Sequence, residues 1–531
     1  MRQSRTISSS ILTYFGIVLT SLALSSCNLF GDDNRTPVPT YMAVQIEDGD
    51  GWSIIDENGD VVADEEYDED DQVSRIYGET YFVKSEGTYQ LYSIDNPKKP
   101  IVDEEYTGAT LMFKDRALVT KAGEPIQIIN AQGEVIATLS KDIVGAQRAG
   151  YHTFYFVKAD GKAGWMDRNG DIIQEGFTQL YMGNGTIVAV GKKTENGKWL
   201  IYNNKGDKTG EFKGSYSCRE INDGYISVKD DDKPLLLNHE GDVVLKMKKA
   251  TYIAPPYYQS EPRCIFWDKN SYNEGLANLD GEVLIRAKYN RLIAIDDNRF
   301  MAKKGDDWGV IDSNDEKIIS FKYSQMTLLG SNYLCQTSSD SWCLIDSKGE
   351  RVDKESYNSI SDFTCDNAVY YVNVESQAKT ISDAVKGFSK GESVSKIGQR
   401  LNLSASDDYR WSSSLSKEES APLVNITTSY HFDSYIVTEL THQVTHNDGW
   451  WSYNETVHDG WAWSNATLDY IVISLEYSQT NAETAQESLI EALKGLGFKE
   501  GSDDDILVKD GKQVTLSNYG SHVTATITKN N

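Results

Sequence analysis

A short pattern returns about every 36 residues along the first two-thirds of this chain, and that period restricts the fold more than any other feature. Its clearest copy is Gly164-Trp165-Met166-Asp167-Arg168-Asn169-Gly170-Asp171-Ile172-Ile173. Aligning on the Asp or Asn before the turn gives Asp56, Asp95, Asn130, Asp167, Asn203, Asn238, Asn278, Asp312 and Asp346. Seven of these nine carry Gly three residues on: Gly59, Gly133, Gly170, Gly206, Gly241, Gly281 and Gly349. The chemistry is that of a hairpin. An alternating strand ends in Asp or Asn, whose side chain bonds the backbone two residues on, and Gly supplies the positive φ. A second alternating strand follows, as in Glu282-Val283-Leu284-Ile285. An aromatic often closes it: Tyr67, Tyr106, Tyr289, Tyr323 and Tyr357. A further strand precedes each unit, as in Thr153-Phe154-Tyr155-Phe156-Val157-Lys158. Each repeat is therefore a small antiparallel sheet that cannot bury its faces alone.

The run Trp308-Gly309-Val310-Ile311-Asp312, with Gly-Asp/Glu-Val/Ile-Ile in the other copies, resembles the WG-repeat (KWG) family of bacterial proteins over about residues 41–370. Trp-Gly itself is intact only at Trp308-Gly309. The resemblance implies a β-propeller-like architecture, which suits short sheets at this period. Nine copies could close as seven or eight blades with terminal strands shared between the ends; an open β-solenoid is the alternative. The repeated tryptophans lie on the same strand of the unit, Trp52, Trp199, Trp308 and Trp342 four residues before the turn Asp or Asn and Trp165 two before it, which alternation puts on one face. That favours packing between blades over a binding face.

The N-terminus reads as an address. Arg2 and Arg5 precede an apolar stretch from Ile11 to Leu24, too short for a comfortable span but suited to a signal peptide. Leu24-Ser25-Ser26-Cys27 resembles a bacterial lipobox. The resemblance implies a signal peptide over 1–26, lipidation of Cys27 with palmitate among its acyl chains, and a tether over 27–40. The membrane partner is then reached through the lipid anchor. Asn28 is not the Asp that favours inner-membrane retention. Asp32 and Asp33 loosely resemble an acidic surface-export tag. The expected address is the bacterial cell envelope, lipid-anchored at the outer membrane, with periplasmic and surface orientations both open. The formal net charge of −28 excludes a nucleic-acid partner, because nothing would neutralise phosphates.

The repeat domain is expected over 41–374 and a smaller α+β domain over 375–531. In the second domain, Ile381, Val385 and Phe388, then Val394, Ile397 and Leu401, predict two short helices split at Gly391. Their likeness to a helix-turn-helix carries no weight in an exported acidic protein. Leu423 to Val444 and Thr467 to Tyr477 read as long strands. Asn481 opens a helix with an apolar stripe through Ala485, Leu489, Ile490, Leu493 and Leu496. Ile506–Lys509, Gln513–Ser517 and His522–Lys529 read as closing strands.

Between the long strands lies a dense aromatic segment: Trp450, Trp451, Tyr453, Trp461 and Trp463. It is the candidate ligand-binding site, either a stacking platform for sugar rings or a protein-contact hot spot. The alternative is a hairpin whose tryptophans pack inward. His442, His446 and His458, with Asp448 or Asp459, lack a recognised metal spacing. Five cysteines lie beyond Cys27, and Cys335 and Cys343 flank a hairpin turn where a cross-strand disulfide is conceivable.

No nucleophile elbow, P-loop, zinc-protease or dinucleotide signature is present, and no cofactor is expected. The acidic run from Asp64 to Asp71 reads as a solvated loop. The reading is a non-enzymatic envelope lipoprotein that binds a protein or glycan. A structural scaffold is the first alternative and a propeller glycosidase the second.

Overall fold

The structure is a computed structural model. It describes residues 38–529 apart from 47–48, 50, 151, 257–260, 373, 394–395, 398, 400–413, 422–423, 434–435, 448–451, 465–466, 478–481 and 504, and gives only the backbone over 436–464. The chain divides into two compact units, ending and starting at Tyr371 and Val372. That boundary lies three residues before the expected one.

The first unit is a β-propeller of nine blades, built by the repeated hairpin. Asp56 accepts the amides of Asn58 and Asp60 at 2.8 and 2.9 Å. Asn130 accepts those of Gln132 and Glu134 at 3.0 and 2.9 Å. The same pair of bonds recurs at Asp167, Asn203, Asn238, Asp312 and Asp346. Gly59 takes φ 81° to complete the turn, and in the eighth copy Asp315 does so at φ 69°. Blades 3 to 8 span 108–138, 143–177, 179–212, 217–246, 250–289 and 291–323, each with four antiparallel strands. Blade 2 spans 72–106 and has three, with a bridge from Tyr89 to Tyr106 at its rim. Blade 9 spans 325–357.

Alternation sends successive side chains to opposite neighbours. In blade 4, Phe154, Phe156 and Met166 join blade 3, whereas Tyr155, Val157 and Trp165 join blade 5. Every pair of consecutive blades shares such a packet. A ninth packet joins blade 9 to blade 1 through Leu334, Trp342 and Leu344 against Met42, Val44 and Ile55. The packing graph is thus a closed ring of nine, neither seven- or eight-bladed nor an open solenoid. Blades 2 to 8 keep their own sheets, whereas blades 9 and 1 are hydrogen-bonded through Tyr357–Ile360 into one run of seven strands.

Closure is made by exchange of one strand. Blade 1 takes Tyr41–Ile46, Gly51–Asp56 and Val61–Asp68 from the start of the unit, and its inner strand, Tyr357–Ile360, from the end. The chain then runs on as a strap along the inner edges of three more blades. Ser361 donates its hydroxyl to the Val73 carbonyl at 2.5 Å, and the Arg75 amide donates to Phe363 at 2.8 Å in blade 2. Cys365 bridges Thr110 in blade 3. Ala368–Tyr370 pairs antiparallel with Gly145, Ala146 and Gln147 in blade 4. The outermost strands face solvent with apolar residues such as Val135, Ile172 and Val283.

Among the described residues the second unit is an antiparallel sheet with two long helices on it; the second short helix expected through Val394, Ile397 and Leu401 falls largely outside the described residues. The sheet order, by first residue, is Ser414, Val424, Thr467, His522, Lys512, Ile506, Lys499. Helix α1 (Val374–Gly387) buries Ala378, Ile381 and Val385. Helix α2 (Ala482–Gly495) buries Ala485, Leu489 and Leu493, and packs on α1 and on strand Lys512–Tyr519. The expected single strand from Leu423 to Val444 is two: Val424–Asp433 in this sheet and Ile436–Asn447 in a separate hairpin. Asp433-Ser434 interrupts the run of strand-type residues, and the change of sheet falls there.

Candidate functional site

Ile436–Asn447 and Ser452–Ser464 form a two-stranded β-arm with twelve register pairs. Trp463 stands opposite Val437, Trp461 opposite Glu439 and Tyr453 opposite His446. Between Leu440↔Gly460 and Thr441↔His458 the register shifts, leaving Asp459 as an extra residue. The bulge changes which positions share a face. Trp461 and Trp463 fall on the face of His458, while Tyr453 falls on the face of His442 and His446. Tyr453 and Trp461 are also about 27 Å apart along the strand, at roughly 3.4 Å per residue. The structure therefore brings Trp461 and Trp463 together near the base and sets Tyr453 near the tip on the other face. Trp450 and Trp451, and Cys27, lie outside the described residues. His442 and His446 share a face and His458 does not. Among the described residues no group of three His, Cys, Asp or Glu side chains is placed to hold a metal ion.

The tryptophans of the repeat are packing residues. Trp165 is fully buried, with Phe177 and Tyr202 at ring distances of 5.5 and 5.4 Å. Trp199 donates Nε1 to the Tyr216 carbonyl at 2.8 Å, and Trp342 sits in the packet that closes the ring. Trp52 and Trp308 are half-buried at the edges of their packets. The closing aromatics do the same work: Tyr67, Tyr106, Tyr289, Tyr323 and Tyr357 are all buried. Burial pushes the Tyr106 phenol up to about 12.

The acidic run is part strand and part turn, with only Glu69–Asp71 outside the strand. Val61–Asp68 is the outer strand of blade 1, and its Tyr67 points inward, hydroxyl to hydroxyl with Tyr81 at 2.5 Å. Glu66 pairs with Lys98 at 3.2 Å.

Two buried carboxylates, Glu274 and Asp353, and one half-buried, Asp366, escaped the sequence reading. Glu274 in blade 7 takes Arg291 at 3.0 Å and the Leu292 amide, tying blade 7 to blade 8. Asp353 accepts the Leu344 amide at 2.6 Å and Arg351 Nε at 2.7 Å. Asp366, on the strap, accepts the Tyr89 hydroxyl at 2.8 Å and the Ala109 amide at 3.1 Å. Burial raises Glu274 and Asp366 above the ordinary carboxylate range. They lie in different blades, and the bonds above engage each with fixed donors of the fold. Nothing in the sequence marks Glu274 or Asp366, because their partners come from the next repeat or, for Asp366, from 277 residues away; Asp353 is held within its own repeat.

No family model matches the chain, and no curated protein does. Among solved structures it is similar to the computationally designed Ika8 protein, at 11% identity over 54% of this chain and 96% of that one, TM-score 0.34. It is similar to BamB from Moraxella catarrhalis, at 13% identity over 51% of this chain and 94% of that one, TM-score 0.29. The C-terminal WD40 domain of Sif2 matches at 8% identity over 44% of this chain and 78% of that domain, TM-score 0.30. The assignment of the fold rests on the blade topology above.

Proposed function

We propose that this is a non-enzymatic, lipid-anchored envelope protein of the WG-repeat kind that takes a protein partner on its β-arm. The observation that carries the reading is the arm itself. Among the described residues its two strands pair only with each other, so each leaves one edge of backbone donors and acceptors unmatched. Its aromatic positions Tyr453, Trp461 and Trp463 are spread over both faces and about 34 Å of length. A single sugar platform needs its rings together; an extended protein contact does not. The buried repeat tryptophans Trp165, Trp199 and Trp342 are committed to packing and offer no binding face. No described helix is long and apolar enough to cross a membrane, so membrane attachment in this reading rests on Cys27.

Two measurements test it. Metabolic labelling with a palmitate analogue should mark the chain and be lost in Cys27→Ser. A photo-crosslinking residue in place of Thr456 should trap one protein in the native envelope, and the same residue at Lys317 on the rim should not. The protein reading fails if Thr456 traps nothing while a glycan array gives binding that Trp461→Ala abolishes.

A further inference from the structure

Cys335 and Cys343 stand directly opposite one another on neighbouring antiparallel strands of blade 9, Asn332–Gln336 and Trp342–Ile345. Both side chains enter the same packet between blades 8 and 9. Residues so paired have Cα atoms about 4.5–5.5 Å apart. A disulfide spans Cα separations of about 4.4–6.8 Å. The other three thiols have no such neighbour. Cys218 lies between blades 5 and 6, Cys264 between blades 6 and 7, and Cys365 between blades 2 and 3. The structure holds all five reduced.

We propose that Cys335 and Cys343 are a redox pair that closes to a cross-strand disulfide in an oxidising compartment, and that the other three remain thiols. The oxidant is a small-molecule or protein disulfide. One cysteine sulfur attacks it, giving a mixed disulfide and one released thiol. The second cysteine sulfur then displaces the remaining half. Two thiols and one disulfide become one disulfide and two thiols, with the two protons passing to the released sulfurs. The step belongs to the nascent or unfolded chain. In the folded chain Cys335 is fully buried and Cys343 nearly so, and burial pushes both thiols up, away from the reactive thiolate. Once blade 9 docks, the pair is shielded in whichever state it then holds. The bond would join the second and third strands of the blade beside the ring closure. There the outer strand is reduced to two register contacts, Trp342↔Tyr357 and Ile345↔Arg351.

The test uses the full chain exported to an oxidising periplasm, alkylated as it is denatured without reductant, then digested and weighed. The peptide carrying Cys335 and Cys343 should be unalkylated and lighter by two hydrogens. Cleavage after Trp342 should leave its halves joined until reductant is added. Cys218, Cys264 and Cys365 should all be alkylated. A Cys335→Ser chain should expose Cys343 to alkylation. The proposal is overturned if both residues are alkylated in the original chain, or if either is found linked to a different cysteine.

Discussion

Asp366 offers the sharpest test of the strap as the element that holds the ring shut. Its carboxylate takes the Tyr89 hydroxyl on one oxygen and the Ala109 amide on the other, so it joins the strap to blades 2 and 3. Tyr89 is 1% exposed and Ala109 fully buried, so neither donor reaches water when the acceptor goes. Leaving a buried donor unmatched costs about 1–3 kcal/mol. Asp366→Ala leaves two, and with local relaxation we expect a loss of about 2–4 kcal/mol. Asp366→Asn behaves differently. Its carbonyl oxygen still takes the Ala109 amide, but its amino group cannot accept the Tyr89 hydroxyl proton, so one donor instead of two loses its acceptor. The neutral side chain also escapes the burial that raises the Asp366 carboxyl. Asn should therefore cost about 1–2 kcal/mol, clearly less than Ala. The assay is urea unfolding followed by near-ultraviolet circular dichroism, with hydrogen exchange at Ala109 and Tyr371 reporting the strap directly. Asn as damaging as Ala, or Ala costing less than about 0.5 kcal/mol, would refute the argument.

Trp165→Ala should cost about 3–5 kcal/mol by the same assay, whereas half-buried Trp52→Ala should cost clearly less. Asp56→Ala removes the acceptor for two amides and should cost about 1–2 kcal/mol; Asp56→Asn should be nearly neutral, since Asn130 makes the same bonds. Gly133→Ala should be worse than either turn change, because φ is 78° and the new Cβ would meet Val102 at 2.7 Å. Mild acidification should act oppositely on the two units. Glu274 and Asp366 have raised folded values, so their contribution grows as pH falls through those values towards the ordinary carboxylate range. His431, stacked on Tyr470 at 4.4 Å, has a lowered value. Its contribution is present above the ordinary histidine range and is lost as pH falls through the folded value. Unfolding of each unit at pH 7 and pH 5, with Asp366→Asn and His431→Phe as controls, checks both signs.

The blades were legible because a turn needs its chemistry locally. Asp56 or Asn130, a positive-φ glycine three residues on and alternating flanks are all visible within twelve residues. The fate of the repeat tryptophans followed from their shared strand face. What the sequence hid was long-range. The segment 361–372 has no period, and its partners at Val73, Ala109 and Gly145 lie in other repeats. The blade number depended on whether sheets merge at the ends, and one exchanged strand settles it. In the arm, Asp459-Gly460 reads as turn chemistry but forms a bulge inside a strand. That one extra residue separates Tyr453 from Trp461 and Trp463, which spacing along the sequence had grouped.

The strap also explains why nine blades close when their sheets are so small. Each two-faced sheet is stable only with a neighbour on both sides, so an open array would leave one face of blade 1 and one of blade 9 wet. The closing packet covers Val44 and Ile55 on one side and Leu334 and Leu344 on the other, four aliphatic side chains that are fully buried. Burial of that kind stabilises by about 1.5–3 kcal/mol for each side chain. Against it stands the entropy of joining chain ends more than 300 residues apart, which grows only as the logarithm of loop length. The packet alone makes closure favourable. It does not make closure specific, because every blade offers a similar apolar face. Specificity comes from the strap. Only Tyr357–Ile360 is followed by a segment that places Ser361 at Val73, Asp366 at Ala109 and Ala368 at Gln147, each matched to a different blade. A chain that closed one blade early would bury the same hydrophobic area and strand Asp366 without its two donors.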